Sequence, residues 1–265
     1  MGEQVTHQHF QCCYQNWMAQ QWLDHDELVQ ALTNYQTDLD YLQLITKKVT
    51  THYENYSASR ARLAKHDGPS FMFPTWGTTI ENSLLWVGGC KPSLIIRLVY
   101  ALCGSQLDAH FAEFLDGVRH GNMGDISTSQ LKNIDDLRAK TVEDEDKLNS
   151  RVENLQEQAV DQVLLAKNYT QVGESSHGEV VGRAMDTHSH DLYNVLVEAD
   201  KLRLNVLKGI MDILKPLQSV EFLVAAKKLH LSLHELSKRR DISMGVTQLL
   251  NTSIASSSNK TPPKP

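Results

Sequence analysis

Two histidines four residues apart, His230 and His234, lie in the stretch AAKKLHLSLHEL (225–236), inside a leucine-rich helical pattern. Residues at i and i+4 share a helix face, so the two imidazoles stand side by side. Such a pair can hold one metal ion in cis. However, His234-Glu235 reverses the order of the H-E-x-x-H zinc proteases, and no third ligand is evident. Haem makes a different demand, because its axial ligands lie on opposite faces of the macrocycle. One histidine would then ligate the iron while the other flanks it, or a second segment would close the far side. On spacing alone, two partly exposed histidines without a ligand are the simpler reading.

The sequence carries no other catalytic constellation. G-x-S-x-G, G-x-x-x-x-G-K, G-x-G-x-x-G and H-E-x-x-H are all missing, so no enzyme is expected. The carboxylate run EDED (143–146) reads as a wet helix surface. Cys12, Cys13, Cys90 and Cys103 form no C-x-x-C pair and read as reduced thiols of the cytosol or nucleus. A formal charge of -6 argues against broad binding to phosphate backbones. With no apolar leader and no run of 18 apolar residues, neither secretion nor membrane spanning is expected. Met1-Gly2 with Thr6 fits the short myristoylation pattern, against which Glu3 counts.

Two further groups could face a partner. Lys227, Lys228, Lys238, Arg239 and Arg240 form a weakly bipartite basic cluster that suits nuclear import or a partner patch. It equally suits a solvated helix end, where cations favour the dipole. Tyr14, Trp17 and Met18 share one face of the first helix by their i, i+3, i+4 spacing. An aromatic stripe of this kind, which Trp22 extends, is either core or a docking face.

Hydrophobic periodicity predicts helices over 5–34, 36–65, 81–87, 92–102, 107–116, 127–168, 180–214 and 217–240. His66-Asp67-Gly68-Pro69 ends the second, and 68–79 reads as a loop carrying Pro74 and Trp76. Gly88-Gly89 ends the 81–87 helix and Pro92 opens the next, with Trp76 and Trp86 packed beside that junction. Ser127 and Gln130 form a capping box. Leu148, Val152, Leu155, Ala159 and Val163 make a seam for lengthwise packing, which Arg138, Thr141 and Glu145 interrupt upstream. No hairpin signal or 20- to 50-residue repeat is visible, and TSIASSSNKTPPKP has the composition of a disordered tail. The fold expected is all-α: a single-domain multi-helix bundle with long antiparallel helices. It spans 8–240, between an extension (1–7) and a disordered tail (241–265).

The segment FMFPTWGTTIENSLLWVGGCKPSLIIRLVYALCGSQL (71–107) resembles the signature of the plant Delay-of-Germination (DOG) seed-dormancy family. There P-x-W, E-x-x-x-x-W, G-G-C-[RK]-P-S and R-L-V-Y-A-L-C-G-S-Q follow in this order. Both ends agree: Y-x-x-W-M at Tyr14, Trp17 and Met18, and LVEADKLR…ILKPLQSVEFLVAAKKLHLSLHE within 196–235. The resemblance covers about 8–240. It implies a non-enzymatic dormancy regulator in abscisic-acid signalling, found in nucleus and cytoplasm. Such a protein binds type 2C protein phosphatases through its N-terminal helix and haem through a histidine pair, which His230 and His234 match.

A second copy of the chain and leucine-zipper factors are further candidate partners. The same domain follows the zipper in TGA-type transcription factors. This sequence shows no basic-zipper region, so direct DNA reading is not expected, and a transcriptional regulator or co-regulator is the alternative. The N-terminal match departs from the family pattern: Cys12 and Cys13 replace an acidic, serine-containing lead, and Asn16 replaces an acid before Trp17. A phosphatase contact that depends on those charges would weaken, while the aromatic anchors stay in place.

Overall fold

The computed structural model describes residues 2–104, 122–168 and 174–246. Among them the chain is all-α, with eight helices and no strand. The helices are α1 (Gly2–Asn34), α2 (Leu39–Ala64), α3 (Gly68–Met72), α4 (Thr79–Ser83), α5 (Pro92–Cys103), α6 (Thr128–Asn168), α7 (Glu174–Ile213) and α8 (Pro216–Ser243); a 3-10 turn (Asn122–Asp125) precedes α6. None of the described helices is long and apolar enough to cross a membrane. The helix expected over 107–116 lies outside the described residues.

Local chemistry sets the ends of these helices. Asp38 accepts the Tyr41 N–H at 3.0 Å and starts α2. Asp67 accepts the Ser70 N–H at 3.1 Å, which with Pro69 in the first turn winds α3 from residues expected to be a loop. The Ser127–Gln130 box closes as expected, with N–H bonds of 3.0 and 3.2 Å. α7 begins six residues before the periodicity suggested. α8 runs to Ser243, past the expected start of the tail at 241. There Asp241 is buried and accepts the Thr79 N–H at 2.9 Å, which ties the C-terminal end of α8 to α4.

The long helices pack antiparallel. α1 and α2 meet through Glu27–Lys48, Asp24–His52 and Trp17–Tyr56. α6 and α7 meet through Leu137 over Gly209 and through Arg151–Glu198. The main core joins α1, α2, α5, α7 and α8 around Leu28, Ile45, Ile96, Ile210 and Phe222, and a second cluster gathers Phe10, Phe71, Leu148 and Leu196. Leu148 and Leu155 are buried in the expected seam and Val152 packs against them. The side chain of Val163 is not among those described.

Upstream of the seam, the polar residues do not interrupt packing. Thr141 is buried and its hydroxyl donates to the Leu137 carbonyl at 2.7 Å. Glu145, expected on a wet face, is fully buried, and its Oε1 accepts the Ser93 N–H at 2.6 Å. The reason is that Lys91 gives α5 no side-chain cap. The carboxylate from α6 supplies one instead, at the positive end of the α5 dipole.

The glycine pair also differs from expectation. α4 ends at Ser83, and Trp86–Gly89 forms a tight reverse turn, with Trp86 N–H to Gly89 O at 2.7 Å and Gly89 N–H to Trp86 O at 3.1 Å. Val87 (φ 44°) and Gly88 (φ 65°) both take positive φ, a costly setting for a β-branched residue. Two arginines hold the turn. Arg203 donates to the carbonyls of Trp86, Val87 and Cys90, the last two at 3.0 and 2.7 Å, and Arg60 donates to that of Gly88 at 2.9 Å. Buried Asp200 lies between the two guanidiniums, 2.6 Å from Arg203 and 3.4 Å from Arg60. The Trp86 ring lies 5.4 Å from the Arg203 charge, while Trp76 packs instead on Phe10 and Phe71.

A Cβ on Gly89 would stand 2.8 Å from Arg203 Cζ, and one on Gly88 would stand 2.4 Å from the Phe71 carbonyl. Gly89→Val is therefore expected to displace the arginine and cost about 1–3 kcal/mol, read as an earlier thermal transition by circular dichroism. An unchanged transition would show that the turn does not depend on Arg203.

Candidate functional site

α8 carries the histidine pair, and α1 and α4 close around it. α1 packs antiparallel to α8, so Gln21 and Asp24 lie opposite Lys227, Trp17 and Met18 opposite Leu231, and Tyr14 opposite His234. α4 then crosses the end of this pair. Thr78 and Glu81 form the α4 capping box, and the same Glu81 carboxylate reaches α8 and α1 together. His234 Nδ1 lies 3.0 and 3.1 Å from its two oxygens, and the Tyr14 hydroxyl donates to Oε1 at 3.0 Å. The Thr78 N–H and hydroxyl donate to Oε2 at 3.1 and 2.5 Å.

The electrostatics follow from this crowding of donors. Burial alone would raise the Glu81 pKa, but the hydrogen bonds from His234 and Thr78 outweigh it and bring the carboxyl down to about 2. The Tyr14 phenol moves up, first through burial and then through the Glu81 charge. Burial pulls His230 down to about 4, with Lys227 and His234 adding to the effect and Glu81 opposing it. His230 is thus a neutral imidazole, the form that ligates metals.

Of the five sequence-selected site residues, Tyr14 meets His234 directly, His230 lies one turn back on the same helix, and Trp17 and Met18 pack together against Leu231. Trp17 and Met18 are only 8% and 7% exposed. The Trp17 ring stacks on Tyr56 at 4.3 Å and 7°. As docking anchors on a free surface these two do not stand where the sequence placed them; they are core, and Trp22, 45% exposed, is the outward aromatic of α1. The reason is the α8 neighbour: an aromatic face on a helix packed between two others has nowhere else to go.

Lys227 is likewise no member of an exposed basic cluster. It is fully buried, bonded to Asp24 at 2.7 Å and Gln21 at 2.9 Å, and lies over the rings of Tyr53 (4.5 Å) and Trp17 (5.3 Å). Burial lowers it to about 8, against the pull of Asp24. Lys238, Arg239 and Arg240 remain exposed at the helix end.

Sequence reasoning missed Glu81 and Asp24. A charged residue on the inward face of a helix was the available signal, and it is visible only once the facing helix is known. Among the described residues, no group of three or more His, Cys, Asp and Glu side chains gathers to hold a bare metal ion. The donors available to a cofactor at this place are the imidazoles of His230 and His234. A cavity of about 490 Å³ lined by Met72, Phe73, Leu85, Trp86 and Asn149 lies elsewhere, beside α6.

Comparison with known proteins bears on this arrangement. The family described as seed dormancy control matches residues 24–101. The chain is 37% identical to Protein DOG1-like 3 of Arabidopsis thaliana over 238 residues, covering 86% of this chain and 84% of that one. It is 37% identical to Protein DOG1-like 2 of the same plant over 243 residues, covering 88% and 92%. Transcription factor TGA5 of Arabidopsis thaliana is 26% identical over 230 residues, covering 84% of this chain and 62% of TGA5. Identity at this level over nearly the full length of both DOG1-like proteins extends from α1 to α8, and the chain belongs to the DOG1-like seed dormancy control family.

Proposed function

We propose that this protein is a non-enzymatic dormancy regulator in abscisic-acid signalling, which binds haem at His230 and His234 and docks type 2C protein phosphatases through α1. It acts in nucleus and cytoplasm. The observation that supports the haem site best is the pair itself: a half-buried, neutral imidazole one turn from an imidazole braced by a carboxylate. A braced histidine next to a neutral one is a donor set that suits porphyrin iron. When bound, haem would supply a redox-active iron, and His230 and His234 would hold it and orient the ligating ring.

Purified protein is expected to take up haemin with a Soret band, and replacing both histidines with alanine should abolish it while helical circular dichroism stays nearly unchanged. An unaltered band in the double variant would place haem elsewhere. Similarity to TGA5 over 84% of the chain favours a second reading, a transcriptional regulator or co-regulator that joins zipper factors bringing their own DNA contacts. Affinity capture from seed extract separates the two: recovery of type 2C phosphatases supports the first, and of zipper factors without phosphatase the second.

A further inference from the structure

The two histidines differ in how they are held. Among the described residues neither ring nitrogen of His230 has a hydrogen-bond partner, whereas His234 Nδ1 sits on both oxygens of Glu81 at 3.0 and 3.1 Å. That carboxylate is fixed in its turn by Thr78 at the start of its own helix and by Tyr14 of α1. Every other contact of Glu81 comes from an N–H or O–H, so it accepts throughout. Nδ1 must therefore carry the hydrogen that faces it, and in the neutral ring the lone pair is left on Nε2.

We infer that His234 Nε2, and not His230, is the iron-ligating atom, and that Glu81 is a positioning residue that sets its tautomer and orientation. This rests on the haem reading above. A ligating histidine whose second nitrogen donates to a carboxylate is a more basic ligand and cannot rotate away from the metal. Here the brace spans three helices: the ring comes from α8, the carboxylate from α4, and Tyr14 from α1 secures the carboxylate. His230, one turn away on the same face, would flank the macrocycle as a wall. The i, i+4 geometry agrees, since neighbouring side chains of one helix cannot reach opposite faces of one porphyrin.

The test uses the full chain with haemin, and metal-free protoporphyrin IX as the control for apolar seating without ligation. His234→Ala should weaken haemin at least a hundredfold, leave protoporphyrin IX binding unmoved, and regain the Soret band when imidazole is added. His230→Ala should stay within about threefold. Glu81→Gln should weaken haemin by about 10- to 100-fold and lower the iron–histidine stretching frequency of the reduced complex, with Tyr14→Phe shifting it less in the same direction. The frequency reports on the ring's second nitrogen, which a purely structural defect would not move. Should Glu81→Gln fail to fold, Tyr14→Phe and the two single histidine variants carry the test.

Loss of the band in His230→Ala but not in His234→Ala overturns the assignment and leaves the haem reading standing. So does a Glu81→Gln protein with unchanged affinity and frequency. An unaltered band in the double histidine variant, or no band in the parent, removes the haem reading and this inference together.

Discussion

Trp17→Ala is expected to lower the unfolding free energy by about 3–5 kcal/mol, the range for removing a large aromatic from a packed core. The indole is buried, stacked face to face on Tyr56 at 4.3 Å and edge-on to Tyr53 at 4.8 Å. Alanine leaves a void between α1, α2 and α8 that these rings cannot collapse into without moving a helix. It also strips one aromatic face from the Lys227 ammonium, 5.3 Å away, whose burial depends on such contacts. Trp22→Ala, on the outward face of the same helix, should cost under about 1 kcal/mol. Denaturant unfolding of both variants decides the matter, and equal midpoints would refute the packing described.

The same pair bears on partner docking. A phosphatase that meets the folded protein on α1 encounters Asn16, Ala19, Trp22 and Leu23, all exposed, and not Trp17. Trp22→Ala should then weaken binding at nearly unchanged stability.

Much of this architecture was legible in the sequence, because helices and caps are local. Leucine and isoleucine at three- and four-residue steps wrote α1, α2, α5 and α8 into the chain, and the Ser127–Gln130 box lay where its spacing put it. The histidine face of α8 could likewise be read. What could not be read was which polar residues turn inward. Glu145 belongs to a run of four carboxylates, and nothing local distinguishes it from its neighbours; its burial is dictated by the uncapped end of α5, some fifty positions earlier. Gly88-Gly89 looked like a helix stop because glycine usually is one. The turn instead depends on Arg203 and Arg60, supplied by α7 and α2. Glu81 looked like an ordinary capping residue, and only the crossing of α4 over α8 brings His234 to it.

Lys227→Met should be the most damaging single substitution on α8 and the most readily repaired. The ammonium is fully buried and forms a close ion pair with Asp24, which is itself buried and bonded to His52 at 2.7 Å. Removing the lysine leaves a buried carboxylate that keeps its contacts to Gln20 and His52 but has lost its strongest partner. Breaking a buried pair from one side costs about 3–5 kcal/mol, much of it the uncompensated charge that remains. Methionine fills nearly the same volume, so a cavity contributes little to that figure. Asp24→Asn made in the same chain removes the stranded charge and should recover at least half of the loss, whereas Asp24→Asn alone should destabilise because it strands the lysine. This sign reversal is the test, read as a double-mutant cycle by chemical denaturation. Additive losses in the double variant would mean that Lys227 and Asp24 act independently. Recovery would show that the α1–α8 contact beside the histidine pair is held as much by charge pairing as by its aromatic rings.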